Sequence, residues 1–202
     1  MQKRTLITLS LLFMMCFSLG AVSIDLGLSY GSRSLADKKL SEAFEKGTVF
    51  CPELSLNFSW GLSLGALLET GYQVEGKVGT LNLYDSDMKV SNFEFFAGYS
   101  HAVGRFHPFA RLGFGTHTFK MNIDADHLPV ELTSFKENKR AVSLGGGVKV
   151  DLHKGFYLGG QVRYVFLKLR PESKLDVKFA ELDLGGWRLM LTLGYRLSLG
   201  SR

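Results

Sequence analysis

Cysteine is nearly missing from this chain. Of 202 residues two are cysteine, and Cys16 sits inside an N-terminal apolar run. Cys51 is left without an intrachain partner, so closure has to come from strand pairing and not from a disulfide. After Leu19 no stretch is apolar enough for a transmembrane helix. A strong charge excess is absent too. The 24 basic residues include Lys3 and Arg4, and without these two the excess over 19 acids is about +3, which is no nucleic-acid signature. No HExxH spacing or His/Cys cluster points to a metal. Gly145-Gly146-Gly147 has no Lys-Ser/Thr behind it, so it is not a phosphate loop. Low-complexity linkers and long internal repeats are also lacking.

A catalytic constellation is hard to assemble. Ser100 and His101 are adjacent, and adjacent strand residues point to opposite faces. Asp124, Asp126 and His127 share one charged loop, which by itself is a solvated segment. His101, His107 and His153 fall near short turns and are expected to share one rim. No catalytic, metal or cofactor-binding residue is predicted, and no cofactor.

The chain does contain an export signal. Lys3 and Arg4 precede an uncharged apolar run from Leu6 to Leu19, and Ala21 and Ser23 give small residues at a cleavage-type spacing. Residues 1–23 are read as a signal peptide and 24–202 as one domain. Phe13, Met14 and Met15 before Cys16 leave no small residue for a lipoprotein site. Only Gly200, Ser201 and Arg202 follow Leu199, so no soluble domain is expected behind the barrel.

From residue 24 onward the sequence alternates with period two. In the last run Trp187, Leu189, Leu191, Leu193, Tyr195, Leu197 and Leu199 lie on one side. Arg188, Met190, Thr192, Gly194, Arg196 and Ser198 lie on the other. Eight such runs occur, starting near Ile24, Leu54, Leu62, Asn92, Ala110, Val142, Phe156 and Trp187. The connections alternate between short turns (Trp60-Gly61, Ala102 to Phe106, His153 to Gly155) and long charged segments near 32–47, 76–88, 120–139 and 170–185. The segment from Leu35 to Lys46 is compatible with a short helix. An apolar face with a charged opposite face suits a closed barrel with lipid outside and a polar lumen, short turns in the periplasm and long loops outside the cell. The expected class is all-β, an eight-stranded antiparallel up-and-down transmembrane barrel.

In this register the lumen receives Asp25, Glu53, Glu69, Glu75, Glu94 and Asp151 against Arg111, Lys149, Arg163, Arg188 and Arg196. A lone charge in a narrow lumen is costly, whereas paired charges are tolerated. Eight strands leave a bore that side chains fill. The charges are therefore read as a structural plug with little conductance. Leu67, Phe96, Phe109, Tyr157 and Val165 break the polar pattern and are expected to help fill the lumen. Inward Thr192 is expected to accept an arginine better than lipid-facing Leu193.

The end of the chain and the stretch Pro108-Phe109-Ala110-Arg111-Leu112-Gly113-Phe114-Gly115 resemble the small eight-stranded outer-membrane barrels, the OmpA/OmpX-type barrel domain. Thr192, Gly194, Leu197 and Leu199 are similar to that family's C-terminal assembly pattern, with Leu199 where an aromatic is usual and three residues beyond it. The resemblance implies outer-membrane lipid as surroundings. It also implies the barrel-assembly machinery and periplasmic chaperones as biogenesis partners. The functional expectation is a non-enzymatic barrel with a structural or surface role and an unknown extracellular partner. The alternatives are a small channel or transporter and, third, a soluble periplasmic ligand-binding barrel with its faces inverted.

Overall fold

The computed structural model describes residues 21–37, 41–42, 47–78, 84–124, 134–169 and 182–199. The expected signal segment, most of the 35–46 loop, Asp126 and His127 lie outside them. The elements are β1 (Ala21–Arg33), β2 (Gly47–Phe58), β3 (Leu62–Val78), β4 (Tyr84–Ser100), β5 (Phe106–Ile123), β6 (Ser134–Asp151), β7 (Phe156–Phe166), β8 (Lys168–Leu169), β9 (Leu182–Asp183) and β10 (Gly186–Ser198). Eight of them close in the order β1-β10-β7-β6-β5-β4-β3-β2, every neighbour antiparallel, while β8 and β9 form a separate two-residue pair. Closure by β1 on β10 removes the sheet edges. In the first loop Ser41 and Glu42 are helical, with the Ser41 N–H bonded to the Asp37 carbonyl at 2.9 Å.

The alternation sorts side chains as the period requires. Leu26, Leu54, Phe95, Leu112, Leu144, Leu158, Leu191 and Leu193 stand exposed on the outer wall. Trp60, Tyr99, Phe106 and Phe156 mark its short-turn end, and Tyr30, Phe93, Phe166 and Trp187 its long-loop end. The expected lumen fillers Leu67, Phe96, Tyr157 and Val165 are buried.

The strands reach further than the alternation shows. β3 to β6 run 17 or 18 residues, so part of two expected loops is strand. The extra length carries a correction. Between Glu69 and Tyr72 the β3–β4 register shifts, and Gly71 takes φ +85°, open to glycine at little cost. One extra residue flips every later side chain to the other face. Tyr72 and Val74 therefore turn inward, while Gln73 and Glu75 face out. Glu75 is thus not a lumen residue.

The flip creates an apolar cap across the long-loop end of the lumen. Val49, Cys51, Tyr72, Val74, Met88, Val90, Phe119, Leu167, Leu184 and Met190 pack there, with Leu35 above them. The chain after β1 follows the segment before β10: the Ser34, Ala36 and Asp37 N–H groups bond the Trp187, Gly185 and Asp183 carbonyls. That ladder holds Leu35 and Leu184 over the bore.

Candidate functional site in the barrel lumen

Below the cap the inward polar residues form stacked layers. At the short-turn end Arg196 grips Asp25 with two bonds, Nε to Oδ1 at 2.8 Å and Nη2 to Oδ2 at 3.1 Å. Its Nη1 donates to Asp151 at 2.9 Å. Lys149 Nζ lies 3.1 Å from Asp25 and 3.6 Å from Glu53. His107 joins this layer through Nε2, 2.8 Å from Asp151. Below it lies a vestibule of about 500 Å³ lined in part by Asn57, Trp60, His101, His107, Asp151 and Arg196. Tyr157 belongs to the same layer and is fully buried, with Lys149 Nζ 4.9 Å and the Arg196 guanidinium carbon 5.6 Å from its ring centre. Of the rim histidines, His101 and His107 share this space.

The middle layer joins β1, β2, β5, β7 and β10. Arg111 Nη1 donates to Glu53 Oε2 at 2.9 Å, and its Nη2 donates to Gln161 Oε1. The Gln161 amide donates to Ser29 at 2.9 Å and to Thr192 at 3.2 Å, and those two hydroxyls lie 2.7 Å apart. Arg111 also stacks on Phe96 at 4.9 Å. A guanidinium that gives a fork to one side and its face to an aromatic ring is well held without water.

The upper layer is the most concentrated. Glu69 Oε1 accepts Arg33 Nη1 at 3.1 Å, and its Oε2 accepts Arg163 Nη2 and, at 3.3 Å, Asn92. Arg188 Nε lies 3.5 Å from the same oxygen. Glu94 Oε1 takes Ser143 at 2.7 Å and Arg163 Nη1 at 3.3 Å. Arg33 and Arg188 spend a further N–H on the Leu184 and Gly186 carbonyls, at 2.9 and 2.7 Å. Inward glycines leave the room. A side chain at Gly113 would strike Glu94, and one at Gly194 would strike Tyr157.

Ten of the eleven lumen charges expected from sequence are brought together, and Glu75 is not. Sequence reasoning missed Arg33 and His117, and it placed His107 at the rim without its contact to Asp151. Arg33 lies on the inward phase of Asp25, Gly27, Ser29 and Gly31, which continues beyond the point where the outward apolar run stops at Tyr30. His117 is buried beside this layer, and neither ring nitrogen has a hydrogen-bond partner among the described residues. On β10, Thr192 is buried in the middle layer and Leu197 faces outward.

His107 Nε2 is held by Asp151, and no serine hydroxyl bonds to it among the described residues. No group of three metal-type ligands occurs among the described residues. What the layers do is join strands from opposite sides of the barrel across the bore.

The fold is similar to solved outer-membrane barrels. The Neisserial surface protein A structure matches with TM-score 0.57 at 8% identity, covering 86% of this chain and 95% of that one. Ail, the attachment invasion locus protein of Yersinia pestis, matches with TM-score 0.51 at 16% identity, over 88% and 99%. The N-terminal barrel domain of Pseudomonas aeruginosa OprF gives 0.52 at 12%, over 88% and 99%. At these identities the likeness speaks for fold alone. No curated protein sequence matches the chain. The outer membrane protein β-barrel domain family matches residues 7–199, so this chain, with its closed eight-stranded wall and lipid-type outer face, belongs to that family and is an outer-membrane protein.

Proposed function

We propose that this barrel is a structural or surface-interaction protein that acts through its extracellular end, and is neither an enzyme nor an open pore. The observation that carries the reading is the filled lumen. Three polar layers and an apolar cap occupy the bore from Asp25 up to Leu184, and Tyr157, Glu69, Arg163, Arg188 and Leu184 have no more than a trace of exposed surface. A conducting pore of this kind would need a continuous hydrated path, commonly lined by charge of one sign. With no path through the described residues, the surfaces left for recognition are the loops that follow β1, β3, β5 and β8. An extracellular ligand for them is the expected partner. Biogenesis on this reading uses periplasmic chaperones and the barrel-assembly machinery, the latter reading Thr192, Gly194, Leu197 and Leu199.

The test is display of the barrel on cells with each long loop shortened in turn. Trimming at least one loop should abolish cell adhesion or another surface phenotype while the amount of folded barrel stays constant. If no trimmed variant changes the surface phenotype and all of them change small-solute uptake into proteoliposomes, the transport alternative replaces this reading.

A further inference from the structure

The outer wall above the lipid band is not uniform. On the β4–β5–β6 side Lys89 stands directly opposite Lys120, and Lys120 directly opposite Lys136. All three side chains are exposed on the outer face. Like charges directly opposite across strands are destabilising, so the row carries a folding cost. No ion pair among the described residues includes any of the three. The acids on this face stand further from the membrane, Glu75 and Asp87 one row up and opposite each other across β3 and β4, and exposed Asp85 two rows up.

Height places the row at the membrane surface. Tyr99 marks the periplasmic end of β4, and Lys89 lies ten residues above it. At about 3.3 Å per residue and a tilt of about 40° that separation is ~25 Å, the height of an outer-membrane barrel's apolar band. Beneath the row the same strands present Phe93, Phe95 and Phe114, each about half exposed, with Thr118 bonded to Asn138 in the row between. Arg140 lies lower on β6, opposite Thr116. The other half of the rim has Ser32, Thr48, Phe166 and Trp187 on its outer face, with Lys168 as a basic residue among the described ones.

We propose that Lys89, Lys120 and Lys136 form a docking site for the phosphorylated headgroup of a glycolipid in the outer leaflet, whose acyl chains lie on Phe93, Phe95 and Phe114. An anionic headgroup removes the mutual repulsion of the lysines, and the aromatic wall that starts two rows below accepts the chains. Both halves of the site fit an amphiphile. A soluble anion would use only the upper half.

The test compares wild-type barrel with the triple variant Lys89→Gln, Lys120→Gln, Lys136→Gln. The residues are exposed, and a thermal melt no lower than that of wild type verifies folding, since the variant also loses the repulsion across the row. Native mass spectrometry from detergent reads retention of lipid A, of dephosphorylated lipid A, of inorganic phosphate and of a sulfated oligosaccharide. Wild type should retain lipid A and discriminate against the other three. The triple variant should bind lipid A roughly a hundredfold more weakly, from about fivefold per lysine near an anionic surface. Lys→Arg at all three positions should restore retention, and Arg105→Gln on the periplasmic turn should not alter it. Equal retention by wild type and the Gln variant would overturn the proposal. So would indifference to lipid phosphate, or preference for the sulfated oligosaccharide, which would make the row an extracellular polymer site.

Discussion

At the periplasmic end of the lumen, Arg196 bridges Asp25 and Asp151 with 19% of its own side chain and 40% of that of Asp151 exposed. At the upper end, Arg33, Arg163 and Arg188 converge on Glu69, and all four side chains have no exposed surface. Both ends pair arginine with a carboxylate, and the surroundings differ. At Asp151 water replaces a lost partner, so its pair with Arg196 is worth about what a surface pair is worth, whereas Asp25 beside it is buried. Under the apolar cap no water stands in, and a missing partner leaves an uncompensated charge. The upper layer therefore fixes which strands lie across from each other. The lower layer mainly finishes the rim.

The largest expected effect is at Glu69. Glu69→Ala leaves three arginines facing Glu94 alone and should cost about 3–5 kcal/mol, read by urea titration of the barrel folded into lipid vesicles. A loss no larger than that of a rim variant would erase the contrast between the two ends.

The middle layer is tested at Thr192, buried against Ser29 and Gln161. Leu193→Arg on the lipid face should cost about 2–4 kcal/mol. The packed layer leaves no space for an arginine at 192, so Thr192→Arg should lose at least as much, contrary to what a polar lumen alone suggests. A milder Thr192→Arg would mean the middle behaves like the hydrated rim.

Within the upper layer the arginines are unequal. Arg163 joins Glu69 to Glu94, whereas Arg188 keeps Nη2 without a hydrogen-bond partner among the described residues. Arg163→Met should destabilise clearly, and Arg188→Met should change stability by no more than about 1 kcal/mol, since it removes a desolvated excess charge. The same titration ranks them, and the reverse order would break the account of the layer. The smallest effect is expected at the rim, where Asp151→Asn should cost under about 1 kcal/mol.

Much of the barrel was legible from the period-two pattern because lipid imposes it on every strand. It gave the eight strands and the inward phase of Glu53, Glu69, Glu94, Arg111, Arg163 and Arg188. It stopped where the outer face leaves the lipid. Above that level Gln73, Lys89 and Lys120 face out and Tyr72, Met88 and Phe119 face in, so polarity no longer tells the faces apart. The bulge at Gly71 compounds this, which is how Glu75 came to be assigned to the lumen and the apolar cap was not foreseen. The partners of each charge were beyond reach for another reason. Arg163 on β7 meets Glu69 on β3 across the bore, and only closure sets that distance.

Planar-bilayer recording of the unmodified monomer tests the plugged lumen most directly. The layered ion pairs and the apolar cap predict a flat baseline without stable current steps. Large, stable, ion-selective steps from the wild-type barrel would contradict the account and make the lumen, not the surface, the seat of its function.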